Sequence, residues 1–400
     1  MILLLLLLIN ERENGEIYKT KSYDKFILHN QRVSLIAYSN KIIKESCYSI
    51  ETAVLSGFTY SLYTKYNIST MGKVDSTFTI SPLVQKIFGY YDAIKDLKDE
   101  HLVIFADAFD VIFQGNIDTF LSRVDYLKKS NIWDYTKTLL YNAEPNCHPF
   151  NVISKKYNCP LTQGEEYLRN SSYQQSAKLR NSVPIGCKLQ ISLAPQEYLE
   201  KNPKMIFFNS GVSVGSAGLY RKLFQKAIKS TLELPQNCLE DQGILGWLYA
   251  NQEMPILLDF NSTLLTTTQV DLLSSYSFNQ TYGTWQKLNG ESPPFVIHFA
   301  GSKRAYRTYW QRLRLWHLVK LSERKLKKQL QSTYLNLNGL HVPYYDVCPI
   351  EKFSFWKSTI ITIDKILKRI GLSPIHPPPE GCPREYCPRE KTGPLPEVFP

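Results

Sequence analysis

A chain of 400 residues is too long for one small domain and fits one large α/β domain or two. With 43% hydrophobic residues it can fill a core, which excludes global disorder. The net charge of +11 is uneven: residues 301–400 hold 18 Lys+Arg against 8 Asp+Glu, or +10, which leaves the first 300 at +1. Such tail-loaded charge suits an acidic ligand or surface, or simply a solvated basic helix, and no zinc-finger or basic-zipper pattern accompanies it.

The chain opens on MILLLLLLIN, eight apolar residues after Met1. A bilayer span needs about 20. The stretch resembles the apolar core of a signal peptide, without a basic start or a small-residue cleavage site, so residues 1–20 read as signal-like or disordered. Nothing further along is long and apolar enough for a transmembrane helix.

Val33 to Tyr38 reads as a first buried strand, 40–55 as a helix and 58–63 as a second strand. Residues 81–97 have helical spacing, with Ser81 and Pro82 as the start. Leu102 to Phe105 is a buried strand, and 136–144 is another. Residues 155–204 are polar and turn-rich and read as an insertion or long loop. Residues 204–216 form a strand running into glycines, 217–230 and 239–250 are helices, and MPILLDF and PFVIHFAG are late strands. A basic helical stretch covers 306–331, and 372–400 is Pro-rich and extended. The alternation predicts an α/β protein with a mostly parallel sheet.

Eight cysteines stand at 47, 147, 159, 187, 238, 348, 382 and 387, with no CxxC pair, so a structural zinc site has little support. Sequons lie at Asn67, Asn170, Asn261 and Asn279. Sequons, an even cysteine count and the apolar start together predict a lumenal or secreted protein with at least one disulfide.

The strand at 102–105 leaves through Asp107 and Asp110 and then returns to apolar Val111, Ile112 and Phe113. In open α/β sheets ligands bind at the carboxyl ends of strands, and two hard oxygen ligands there suit Mn²⁺ or Mg²⁺. A bare DxxD is weak, because one Asp capping a turn gives the same pattern. Glu240 and Asp241 open an apolar helical pattern in NCLEDQGILGWL, where N-capping is the plain alternative. In FVIHFAGSKR, His298 leaves a strand, Gly301 lets backbone approach a ligand, and Lys303 and Arg304 bring positive charge suited to a diphosphate. A reaction that expels diphosphate needs a divalent cation and cationic side chains, and nucleotide-sugar transfer is such a reaction.

Five segments occur in order: VIFADAFDVIF, LLYNAEPNCHP, FFNSGVSVGS, EDQ and VIHFAGSKR. As a set they resemble the glycosyltransferase domain of procollagen lysyl hydroxylases and related GT-A transferases, over residues 31–304. HFAG is also similar to the His-x-x-Gly motif of glycogenin-like transferases. The resemblance implies a GT-A (Rossmann-like) nucleotide-sugar-binding fold with a central mixed sheet, followed by a basic helical extension at 305–371 and the Pro-rich tail at 372–400. It implies Asp107, Asp110 and His298 as Mn²⁺ ligands, with the metal bridging the diphosphate of a UDP-sugar. Glu240 and Asp241 match the acidic pair facing sugar or acceptor. Asn209, Ser210 and Gly211 match a strand-end element lining the donor site. Lys86 matches a donor-site lysine, Gly301 and a following cation touch phosphate, and Phe88 or Tyr90 stacks on uracil.

The sequence departs from that pattern in places. The cation six residues after the His is Arg304, with Lys303 one place earlier; on an extended strand only one of them faces the ligand, and spacing favours Arg304. Gly89 stands where an aromatic is expected, Glu240 replaces an Asp, and His148 stands where Trp is usual. Residues 305–400 hold no HxD pair, so hydroxylation is not expected. Cys147 lies on a matching segment and Cys159 follows twelve residues on, a candidate disulfide.

The expected activity is metal-dependent transfer of a hexose from UDP-glucose or UDP-galactose to a hydroxyl acceptor such as a hydroxylysine glycan on collagen-like protein. No dedicated nucleophile is visible, so retention by front-face substitution is the economical expectation. A catalytically inactive sugar-nucleotide-binding module is the alternative, separated by measured UDP-sugar hydrolysis with Mn²⁺. A nucleic-acid-binding protein, whose binding would weaken steeply with salt, is disfavoured by the sequons and the apolar start.

Overall fold

The computed structural model describes residues 33–39, 42–64, 82–148, 185–201, 205–233, 240–268, 276–279, 281–288, 292–301, 303–321 and 323–348, all within one compact unit spanning residues 1–349. The signal-like start, Asn67, Asn170, Cys159, Cys238, Cys382, Cys387 and the Pro-rich tail lie outside the described residues.

The described strands are β1 Val33–Tyr38, β2 Tyr60–Tyr63, β3 Leu102–Asp107, β4 Val111–Phe113, β5 Leu139–Glu144, β6 Phe207–Ser216, β7 Ile256–Asp259, β8 Leu265–Thr267, β9 Tyr276–Asn279, β10 Thr284–Lys287, β11 Val296–His298, β12 Tyr334–Leu337 and β13 Leu340–Pro343. The helices used below are α1 Lys44–Leu55, α2 Pro82–Ile94, α3 Ile117–Lys129, α4 Ile185–Leu193, α5 Gln196–Lys201, α6 Ala217–Glu233, α7 Asp241–Ala250, α8 Lys303–Leu321, α9 Glu323–Gln331 and α10 Tyr344–Val347.

Eight strands form one sheet in the order β13-β12-β2-β1-β3-β6-β5-β7. β1 runs parallel to β2 and β3, and β5 parallel to β7, while β6 lies antiparallel to both β3 and β5. The sheet is therefore mixed, with the carboxyl ends of β3 and β5 at one edge beside the amino-terminal half of β6. Its central strands are buried on both faces, which accounts for apolar runs such as Leu102 to Ala106 in place of alternation. Aromatic side chains fill one face, where Tyr90, Phe105, Tyr220 and Phe224 pack against one another under α2 and α6. This is an α/β architecture with a central mixed sheet, as expected.

A smaller sheet, β4-β11-β8, explains the two apolar stretches around the carboxylates. β3 belongs to the central sheet and β4 to the small one, so Asp107 to Asp110 is the crossing between them. β11 pairs antiparallel with β4, setting His298 opposite Val111, and Phe299 N–H donates to the Asp110 carbonyl at 2.8 Å.

Three expectations are corrected. The segment read as a loop at 155–204 contains helices α4 and α5 in its described part, with Ile185, Cys187 and Ile191 buried against the fold. The disulfide from Cys147 runs to Cys187, not Cys159, because α4 brings Cys187 within 5.8 Å (Cα–Cα) of it. A second bridge joins Cys47 on α1 to Cys348 after α10. The region after 304 carries two strands that sequence reading missed: β12 pairs parallel with β2 and β13 closes that edge. Among the described residues no helix is long and apolar enough to cross a membrane.

Candidate active site

The edge where β3, β5 and β6 meet holds a cavity of about 700 Å³, within the usual range for ligand sites. Its lining includes Lys86, Asp107, Asp110, Glu144, His148, Asn209, Ser210, Glu240, Asp241, Gln242, His298 and Gly301.

Asp107 ends β3, Asp110 precedes β4 and His298 ends β11. One ligand atom from each lies within 4.8 Å of the other two. His298 Nε2 is 3.7 Å from Asp107 Oδ2 and 3.6 Å from Asp110 Oδ2. Burial pushes the Asp107 carboxyl up, Lys86 opposes that, and the neighbouring Asp110 charge adds to it, leaving Asp107 above the usual range. Burial would lower the His298 imidazole, but Asp110 and Asp107 outweigh it and hold it above its ordinary value. Among the described residues, Asp110 Oδ1 and His298 Nδ1 are buried without a hydrogen-bond partner. Two crowded carboxylates, an imidazole between them and an unsatisfied buried oxygen form a donor set that fits a divalent cation of the Mn²⁺ or Mg²⁺ kind.

Gly211 explains how the imidazole fits. A Cβ at that position would lie 2.3 Å from the His298 ring, so only glycine lets β6 pass behind it. The β5–β6 register also breaks here: Tyr141 faces Ser213, yet Asn142 faces Asn209. The three residues left over, Ser210 to Val212, carry Ser210 into the cavity, the way bulges re-aim side chains near sites.

Lys86 reaches from α2 beneath the cluster. Its Nζ lies 2.5 Å from Asp107 Oδ1 and 2.8 Å from Asp241 Oδ2. Burial alone would lower its pKa, but the two carboxylates raise it well above the ordinary value, so it stays charged. It therefore ties a cation-site carboxylate to α7. Asp241, in the first turn of α7, also accepts from Ser210 Oγ at 2.9 Å.

Gln242 and Glu144 are buried groups that sequence reasoning missed. Gln242 Oε1 accepts from Asn209 Nδ2 at 3.3 Å and Ser210 N–H at 3.4 Å, while its Nε2 donates to the His148 carbonyl at 2.8 Å and to Glu144 Oε1. Burial pushes the Glu144 carboxyl up to about 7, with the Gln242 hydrogen bond opposing. Glu144 ended an apolar strand and Gln242 followed the Glu240–Asp241 pair, so both carried the signal of a polar residue at a buried position.

Two further expectations change. Phe88 and Tyr90 are core residues, 1% and 4% exposed, because α2 turns that face onto the sheet, and neither lines the cavity. The aromatic side chains that do are Tyr38 and Phe109, the latter 37% exposed. Lys303 and Arg304 do not stand on an extended strand. β11 stops at His298, Gly301 turns the chain at φ +76°, and both residues open α8. No atom lies within 4 Å of a Cβ at 301, so that glycine is required by its backbone angle and not by crowding.

Fold and cluster together define the class: an α/β protein with a central mixed sheet and a candidate cation site at the sheet's carboxyl edge. No family model and no curated protein matches the chain. Among solved structures it is similar to the WbbM bifunctional glycosyltransferase in its apo form, at 12% identity and a TM-score of 0.39, over 76% of this chain and 52% of that one. The chain thus spans about half the length of that protein. It is also similar to the galactosyltransferase LgtC in complex with donor and acceptor sugar analogs, at 10% identity and a TM-score of 0.35, over 70% of this chain and 95% of that one. At these identities and scores neither carries a substrate or a mechanism over to this chain.

Proposed function

We propose that the protein is a metal-dependent glycosyltransferase that moves a hexose from a UDP-sugar to a hydroxyl acceptor. The observation that carries this is the convergence of Asp107, Asp110 and His298 at the mouth of a sheet-edge cavity large enough for a sugar nucleotide. Asp107, Asp110 and His298 would hold the Mn²⁺ or Mg²⁺. Bound there, the ion would supply the positive charge that a departing diphosphate requires.

The protein's own groups divide the remaining work. The N-terminus of α8, with Lys303 and Arg304 in its first turn, offers backbone donors and a positive dipole end to phosphate. Gly301 gives the turn that aims this end. Asn209, Ser210, Asp241 and Glu240 line the cavity beyond the cation cluster, where the sugar would lie. Lys86 holds Asp107 and Asp241 in place. The resemblance to lysyl hydroxylase glycosyltransferase domains supports UDP-glucose or UDP-galactose as donor and a collagen-like acceptor. The two disulfides and the sequons support a secretory-pathway lumen.

The test is a panel of UDP-sugars with Mn²⁺, scored by UDP release. Release from at least one, abolished by EDTA, is the expected result. UDP-sugar binding with no release from any would favour a binding module of the same fold.

A further inference from the structure

We infer that the imidazole of His148, oriented by Glu240, takes the proton from the acceptor hydroxyl; this rests on the transfer reaction proposed above. His148 follows β5 and lines the cavity, with a side chain 44% exposed. Its Nε2 meets Glu240 Oε1 at 3.2 Å, and its other ring nitrogen has no partner among the described residues.

An exposed ion pair is ordinarily a weak surface contact. This one is held from several sides. The neighbouring Cys147 is bridged to Cys187, the His148 N–H donates to the Asn146 carbonyl at 2.9 Å, and the His148 carbonyl accepts from Gln242 at 2.8 Å. Glu240 is the N-cap of α7, yet its carboxylate makes no cap hydrogen bond. Such a cap stabilises a helix by about 1 kcal/mol. The carboxylate faces the imidazole instead. When Nε2–H donates to Glu240, Nδ1 is left bare as a base on a residue that lines the cavity.

The other acids of the cavity are committed elsewhere. Asp107 and Asp110 belong to the cation cluster, Asp241 is bound by Lys86 and Ser210, and Glu144 is buried under Gln242. Among the described residues, the charged groups around His148 are Glu240 and Asp241 at the start of α7 and Glu144 of β5. The hydrogen bond to Glu240 raises the imidazole above its ordinary value and burial opposes it.

In the step, the acceptor O–H bond breaks and its proton passes to His148 Nδ1. The oxygen bonds to the sugar's anomeric carbon, and the bond from that carbon to the diphosphate breaks, its electron pair leaving with UDP. His148 then releases the proton to solvent.

The experiment uses the full chain with Mn²⁺, the UDP-sugar that the wild type turns over best, and water as acceptor. His148→Gln should lower kcat about 10²-fold with little change in the KM for donor, and the acid limb of the pH–rate profile should vanish. Glu240→Gln should keep the limb and move it to lower pH, because the partner that raises the imidazole is gone. UDP and Mn²⁺ binding to His148→Gln, measured by calorimetry, should match wild type. Wild-type kcat and an intact acid limb in His148→Gln would overturn the inference while leaving the transferase reading standing, as would loss of UDP binding in that variant. Loss of the limb in Glu240→Gln alone would make the carboxylate the base. A wild type that releases UDP from no donor defeats the transferase reading and this inference with it.

Discussion

His298 is held where it is by the absence of a side chain on another strand. Gly211→Ala places a methyl into the imidazole, and overpacking of this kind costs about 1–3 kcal/mol when the neighbour can move. The ring should swing out of the cluster, so Mn²⁺ affinity should fall by roughly 10–100-fold, the scale of a disturbed ligand shell. Calorimetric Mn²⁺ titration checks this; unchanged affinity would detach His298 from the ion. Lys86 makes a different prediction. Removing its charge in Lys86→Met leaves Asp107 and Asp241 facing each other in a buried site, and breaking such a network costs about 3–5 kcal/mol. Urea unfolding measures it, and a variant as stable as wild type would show that Lys86 does not hold this network together. Asp107, Asp110 and His298 were legible because each interrupts an apolar strand end. The reason for Gly211 was not, since it lies in a contact across strands. Phe88 and Tyr90 misled because a helix's spacing does not say which of its faces meets the core.

Among the elements, α8 carries a titration of its own. Burial pushes the His317 imidazole down to about 4. In the unfolded chain it titrates near 6.5, so between these values the unfolded state binds more protons and stability falls with falling pH. Going from pH 7 to pH 5 should lose about 2 kcal/mol through this group. His148 and His298 are raised and act in the opposite sense, so the comparison is between wild type and His317→Gln: the variant should lose less stability over that interval. Equal losses would mean that His317 is solvated. Most strands and helices of the central sheet followed from the alternation of short apolar runs with 3.6-residue patterns. The hairpin β12–β13 did not, although its signal was there. Asn338 and Gly339 both take positive φ, at +51° and +84°, as a two-residue Asn-Gly turn requires. The register shift in β6 was beyond reach, because bulges depend on what the neighbouring strand presents.

For the molecule as a whole, the cysteines decided what the motifs could not. Their even number pointed to disulfides, but the partner of Cys147 depended on a helix in a segment that read as loop. The Cys47–Cys348 bridge closes a 301-residue separation, joining α1 to the end of the described chain. On the chain-entropy view so long a loop stabilises by up to about 5 kcal/mol. Cys348→Ser should therefore lower the unfolding midpoint markedly without abolishing turnover. The motif order fixed the sheet edge that holds the site, and the fold then supplied what linear spacing lacks, namely which side chains converge. The most direct measurement is UDP release from a UDP-sugar panel by wild type and Asp110→Ala, each with Mn²⁺ and with EDTA. Mn²⁺-dependent release by wild type, lost in a folded Asp110→Ala and in EDTA, is the expected result; full release by Asp110→Ala, or by wild type in EDTA, would contradict a metal-dependent transferase.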